Sequence, residues 1–212
     1  MLRGNRKKQI FIFDFDGTIA DTVDSILKIS NHLSDEFHFK KILPQEIDRL
    51  KNYTLEEVIR HLEIPLGKIP LILSKARRDL HKDMHKVKPI SGLSDVLWQL
   101  KAHAQKIGIV TTNSTKNVRR FLISNKLDIF DFIHSSSRLF GKGASLKRLM
   151  AKRKFDQDNV FYIGDETRDI TAAKWASVKT VAVTWGYNSE KILKVQNPDY
   201  LARNPSDLLS LV

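Results

Sequence analysis

The sequence predicts an α/β fold, a doubly wound, five-stranded parallel sheet with an all-helical segment inserted after its first strand. Three observations carry this reading. From residue 88 onward, short β-branched and aromatic runs alternate with helix-period stretches, the rhythm of right-handed crossovers between parallel strands. Near the start, Ile10-Phe11-Ile12-Phe13 is apolar at every position, as in a strand covered on both faces. Between the two, residues 23–87 show helical periodicity only.

After the first strand, Gly17 and Thr18 turn the chain sharply. Val23, Ile26, Leu27, Ser30, Leu33 and Phe37 then fall at helical spacing. A second helix is expected near Pro44. A third is expected at Thr54, where Thr54 and Glu57 have capping-box spacing. Pro70 opens a longer helix with one stripe of Leu73, Ala76, Leu80, Met84 and Val87. Beyond Lys88, Ser94 is placed to cap a helix carrying Val96, Leu97 and Leu100, and strand 106–111 follows. Val118, Phe121 and Leu122 mark the next helix, and residues 132–134 a short strand. Helix 144–154, strand 159–163, helix 167–176, strand 180–184 and a last helix from Ser206 complete the series. The expected division is a core of residues 1–22 and 88–212, with a helical cap of residues 23–87.

Composition narrows the setting. The chain has 212 residues, 42% of them hydrophobic, enough for one packed core with a modest insertion. It has no cysteine, which removes disulfides, thiolate nucleophiles and thiolate metal sites. No apolar run approaches the roughly 18–20 residues of a membrane span. Arg3, Arg6, Lys7 and Lys8 precede the first strand, but Asp14 and Asp16 break its apolar stretch too early for a signal peptide. A cytoplasmic protein with no membrane partner is expected. The net charge of +12 is spread along the chain, with only short clusters such as Lys152-Arg153-Lys154. No nucleic-acid motif accompanies it, so a solvated basic surface favouring anionic substrates is expected rather than a nucleic-acid partner. Oligomeric state leaves no mark in the sequence.

Chemistry concentrates at strand ends. Asp14 and Asp16 leave the first strand with only Phe15 between them, and two carboxylates there are costly to desolvate without a cation or proton to serve. The carboxyl edge of such a sheet is also where ligands bind. Thr111 ends a buried strand; its hydroxyl and the following amides suit phosphate oxygens, and Thr111 to Thr115 equally suit the cap of the next helix. Lys142 stands between Gly141 and Gly143 in Leu139-Phe140-Gly141-Lys142-Gly143, with Lys147 its rival inside the helix. Asp165, Glu166 and Asp169 follow strand 159–163 in Gly164-Asp165-Glu166-Thr167-Arg168-Asp169; an acid-rich helix start accounts for Glu166 and Asp169 better than for Asp165. His81 and His85 have a zinc-compatible i,i+4 spacing, but lysines surround them and a solvated helix face is expected.

The run DFDGTIADT resembles the first motif of the haloacid dehalogenase superfamily, in particular phosphatases of the phosphoglycolate-phosphatase type, through Asp14, Asp16, Gly17, Thr18, Asp21 and Thr22. IGIVTTN, the lysine at 142 and GDETRD resemble the three later motifs, in order and over nearly the whole chain. The resemblance implies a Rossmann-like core with a substrate-selecting helical cap. It also implies Mg²⁺-dependent hydrolysis of a small phosphorylated metabolite. Asp14 would be the nucleophile that forms an aspartyl-phosphate and Asp16 the acid and base. Thr111 and Lys142 would be catalytic partners, and Thr18, Thr112 and Asn113 phosphate contacts. The metal would be held by Asp14, Asp16 through its carbonyl, Asp165 and Asp169, with Glu166 an alternative to Asp169. A phosphomutase of the same superfamily and a non-catalytic phosphate-binding protein are the competing readings. In the cap, Arg77 and Arg78 are candidates for an anionic leaving group.

Overall fold

The computed structural model describes residues 9–136 and 141–212. Arg3, Arg6, Lys7, Lys8, Leu139 and Phe140, singled out above, lie outside the described residues. The sheet has the order β3-β2-β1-β4-β5-β6 and is parallel throughout. Its strands are β1 (Ile10–Phe13), β2 (Lys106–Thr111), β3 (Phe132–Ser135), β4 (Val160–Gly164), β5 (Lys179–Val183) and β6 (Tyr200–Ala202). β1 is central, pairing Ile10–Phe13 with Lys106–Ile109 on one side and Val160–Ile163 on the other. The strand order reverses at β1, so the crevice at its carboxyl end is the natural ligand site.

Alternation along β1 explains the double covering. Phe11 and Phe13 join one core with α5 (Leu93–His103), α6 (Thr115–Ser124) and the C-terminal three-ten turn Pro205–Leu211. Ile10 and Ile12 join the opposite core with α7 (Lys142–Arg153) and α8 (Thr167–Trp175). Gly108 in β2 is fixed by packing, since a Cβ there would lie 2.1 Å from the Phe132 ring.

Four α-helices separate β1 from α5: α1 (Val23–Phe37), α2 (Ile47–Leu50), α3 (Leu55–His61) and α4 (Ile69–Asp83). Thr54 does cap α3, with the reciprocal bond from Glu57. These helices enclose their own apolar cluster of Leu33, Phe37, Phe39 and Leu62, backed by Ile72 and Ala76. Further along α4 and beyond it, Leu80, Met84 and Val87 belong to the sheet core instead. The two chain crossings into and out of this segment run side by side. Asp21 N–H donates to Lys88 O and Ile90 N–H to Ile19 O, each at 2.9 Å.

Several expected boundaries shift. The sheet has a sixth strand, β6, whose three residues after Pro198 are too few to show a period. The short helix α9 (Glu190–Val195) likewise has too few turns for a legible stripe. Gly92, with φ +77°, is the residue that starts α5, so Ser94 lies inside the helix. The last helix is a three-ten turn from Pro205 rather than an α-helix from Ser206. Lys142 is the first residue of α7, after Gly141, and not part of a free turn.

Candidate active site

The carboxyl end of β1 gathers charges that the chain keeps far apart in sequence. Asp14 is 2% exposed, and its Oδ2 lies 2.8 Å from Lys142 Nζ. The same ammonium meets Asp169 Oδ1 at 2.5 Å, so one buried lysine bridges two buried carboxylates. Gly164 allows that approach, because a Cβ there would lie 2.4 Å from the Asp169 carboxyl carbon. Lys147, the rival lysine, instead lies over the Trp175 ring, 5.5 Å from its centroid. Burial drives the Asp14 pKa upward against the pull of Lys142, with Asp169 adding repulsion. Lys142 is held above its usual value: the two carboxylates outweigh the cost of burying it.

Asp16 has different company. It is half-buried, and both of its carboxylate oxygens accept from Asn113 Nδ2 at 3.0 Å. Burial raises its pKa to about 6, with the Asn113 bonds opposing the rise. Asn113 is itself fixed: Asn117 Nδ2 and the Ser114 amide donate to its Oδ1 at 2.9 and 2.7 Å. The Thr111 hydroxyl is buried at the end of β2 and accepts from the Asn113 amide at 2.9 Å, so it shapes the turn that presents Asn113. Thr112 borders the neighbouring cavity, and Ser114 is the residue that caps α6.

Asp165 is fully buried at the end of β4 and faces a third set of partners. Thr18 Oγ1 donates to its Oδ1 at 2.6 Å, and the Tyr187 amide donates to its Oδ2 at 2.8 Å. Gly17, in a left-handed turn at φ +76°, and Gly186 leave room for it; a Cβ at either would lie within 2.4 Å of Asp165 Oδ2. Burial, then Glu166 and Asp169, push the Asp165 pKa well up. The carboxylates that do converge belong to Asp14, Glu166 and Asp169, which bring one oxygen each within 4.8 Å of one another. Asp14, Lys142, Asp169 and Glu166 are thus brought together, Asp16 and Asn113 stand as a second pair, and Asp165 with Thr18 makes a third group.

Some participants were not among the residues singled out above. Arg168 donates to Glu166 through Nε at 2.9 Å and through Nη2 at 2.5 Å, inside the acid-rich loop. Burial works against the charge of Arg168, but Glu166, Asp169 and Asp14 hold its pKa above the ordinary value. Tyr187 and Asn188 follow β5. Asn188 Oδ1 accepts from the Thr167 amide at 2.9 Å, and its Nδ2 donates to Lys51 O at 3.2 Å and Tyr53 O at 3.0 Å. Their signal was positional: they leave the carboxyl end of a strand after a glycine. Arg77 on α4 is partly desolvated, which lowers its pKa, while Asp16 draws it back up; Arg78 is exposed. His81 corrects the expectation of a solvated face: its Nδ1 lies 2.7 Å from Asn117 Oδ1 and its Nε2 3.3 Å from Arg120, so it seats α4 on α6. His85, beyond the end of α4, is exposed as expected, with Arg120 Nη2 3.3 Å from its ring.

The donor set fits a hard divalent cation. Asp14, Glu166 and Asp169 offer only oxygen, their cluster is buried except for part of Glu166, and burial raises the pKa of Asp14 even with Lys142 beside it. Four comparisons concern ancestry. A sequence-family model described as haloacid dehalogenase-like hydrolase matches residues 11–183. The chain is 31% identical over 205 residues to a phosphoglycolate phosphatase of Synechococcus elongatus, covering 96% of this chain and 97% of that one. It is 26% identical over 210 residues to a pyrophosphatase PpaX of Bacillus mycoides, covering 95% of each. Its fold is similar to that of a haloacid dehalogenase-like hydrolase from Streptococcus pneumoniae, with TM-score 0.79, 21% identity and coverage of 96% and 97%. With the family match running from β1 through β5 and the acids clustered where the sheet order reverses, the chain belongs to the haloacid dehalogenase-like hydrolases.

Proposed function

We propose that this hydrolase is a Mg²⁺-dependent phosphatase that cleaves a small phosphate monoester through an aspartyl-phosphate on Asp14. One observation carries the reading: a buried carboxylate bridged by a buried lysine stands one residue from a second carboxylate held apart by an amide. Asp14 Oδ attacks phosphorus in line, forming the acyl-phosphate bond as the bond to the leaving oxygen breaks. Asp16 hands its proton to that oxygen; a pKa near 6 suits a group that must give and retake a proton close to neutrality. In the second half Asp16 takes a proton from water, the water oxygen attacks phosphorus, and phosphate leaves Asp14 free. Lys142 orients Asp14 and lowers the repulsion between two anions. Asn113 keeps Asp16 turned away from Lys142, so the two acids keep separate roles.

Mg²⁺ would be held by Asp14, the Asp16 carbonyl and carboxylates of the loop that follows β4, drawn from Asp165, Glu166 and Asp169. When bound it supplies charge neutralisation of the transferring phosphoryl group. Thr18, Thr111 and Thr112 contribute to the phosphate cradle in this reading. Residues 23–87 act as the cap, hinged where the two crossings pair at Asp21 and Lys88. No helix among the described residues is long and apolar enough to cross a membrane, which accords with work on diffusible metabolites in the cytoplasm. The test is phosphate release from p-nitrophenyl phosphate with Mg²⁺ or with EDTA. Turnover that needs Mg²⁺ and falls about a thousandfold or more in Asp14→Asn is expected; undiminished turnover in the variant overturns the nucleophile.

A further inference from the structure

We infer that the leaving group of the substrate is a hydrocarbon, a chain or ring of about six to eight carbons, that lies in an apolar cavity inside the helical segment. The inference rests on the phosphatase reading above and names its substrate class. A cavity of about 330 Å³ opens at the acid edge, where Asp16, Thr112, Glu166 and Arg168 form its mouth, and ends against the apolar cluster around Leu33 and Leu62. Of the residues from helices α1 to α4 and their loops that line it, all but Ser30, Lys51 and Tyr53 are apolar. Its size is roughly twice that of the ~150 Å³ apolar pocket known to accept a benzene ring.

Charge decides against the polar alternatives. A leaving group that carries a carboxylate or a second phosphate would have to leave water for this wall, at a cost only a buried cation repays. The half-buried cation at the mouth, Arg168, is already matched by Glu166 through two bonds. The cation on the wall of the helical segment is Lys51, whose side chain is 42% exposed and 4.0 Å from Asp48. A hydrocarbon meets no such cost and gains with each methylene it buries. The polar groups of the mouth then serve the phosphoryl group and the apolar wall serves the rest.

The experiment compares kcat/KM for methyl, butyl, hexyl and octyl phosphate, 2-phosphoglycolate and p-nitrophenyl phosphate on the Mg²⁺-loaded native protein. Efficiency should rise about three- to fourfold per methylene until the cavity is full, and hexyl phosphate should exceed 2-phosphoglycolate by about a hundredfold. Efficiency that is flat with chain length, or highest for 2-phosphoglycolate, overturns the inference while leaving the phosphatase reading intact. If no ester at all is hydrolysed, the phosphatase reading fails, and calorimetric titration with methyl- and octylphosphonate decides the cavity separately. Tighter binding by a similar factor per methylene keeps it as a hydrocarbon site, and equal or absent binding removes it. Ser30→Phe, which partly fills the cavity, should shorten the preferred chain. An unchanged optimum in a variant with native-like melting also counts against the cavity.

Discussion

Asp14 and Asp16 are two positions apart, yet a lysine governs one and an asparagine the other. That contrast sets how the metal-free protein responds to pH. The folded-state pKa of Asp16 is raised from 3.8 to about 6, so between those values the folded chain binds more protons than the unfolded chain. Stability therefore falls as pH rises through that window, and Asp14, also raised, works in the same direction. Replacing Asp16 by Asn should raise the melting temperature of EDTA-treated protein at pH 7.5 by about 2–5 °C, and by less at pH 5. A variant that melts lower at pH 7.5 would refute this account of Asp16. The acids of β1 were legible in the sequence because carboxylates at the end of an all-apolar strand need a reason to be there. Lys142 was legible only against the family's motif spacing, since a lysine between glycines has no signature of its own. The partners of Asp165 were not legible: a main-chain amide 22 positions away leaves no residue-type signal.

At the scale of elements, the strands that line the site were readable, and the pieces that fasten them were not. A four-residue run such as Ile10–Phe13 is apolar at every position because helices cover both faces. The short edge strand β6 and helix α9 have too few residues for any period to emerge. Asp131, just before β3, is one of the fasteners. Its carboxylate accepts from Lys101 of α5 at 2.8 Å, from Lys106 at 3.1 Å and from the Ile107 amide at 2.8 Å. Burial pushes its pKa up, but these bonds outweigh burial and hold it at about 2. A depressed acid contributes stability above its unfolded value near 4, and that contribution is lost as pH falls through 2. Asp131→Asn should therefore cost about 1–2 kcal/mol at pH 7, with the gap to the native protein closing toward pH 2. Chemical denaturation at pH 7 and pH 3 reads both, and a pH-independent gap would show that Asp131 acts by shape alone.

Over the whole molecule, the chain carries a net charge of +12, opposite in sign to the phosphoryl oxygens proposed to dock at its mouth. Attraction of that kind is screened by salt, so kcat/KM for phosphorylated substrates should drop several-fold between about 0.02 and 0.5 M NaCl at fixed Mg²⁺. A flat profile would mean that the charge is too evenly spread to steer anything. The position of the helical segment between β1 and β2 was legible, because a long strand-free stretch interrupts the crossover rhythm. Its apolar contact with the sheet core through Leu80, Met84 and Val87 was legible as a helical stripe, but its polar ties through main-chain carbonyls were not. Asn188 makes that grip specific. One face of its amide holds the first N–H of α8, next to the clustered acids, and the other holds two carbonyls of the helical segment. The side chain works as a clutch plate between the two parts. Swinging the helices outward strips its amino group of both acceptors and slackens its hold on the start of α8. If the helices act as the proposed cap, an open molecule is also a disengaged one: its acid loop would lose a fixed point on opening and regain it on closure.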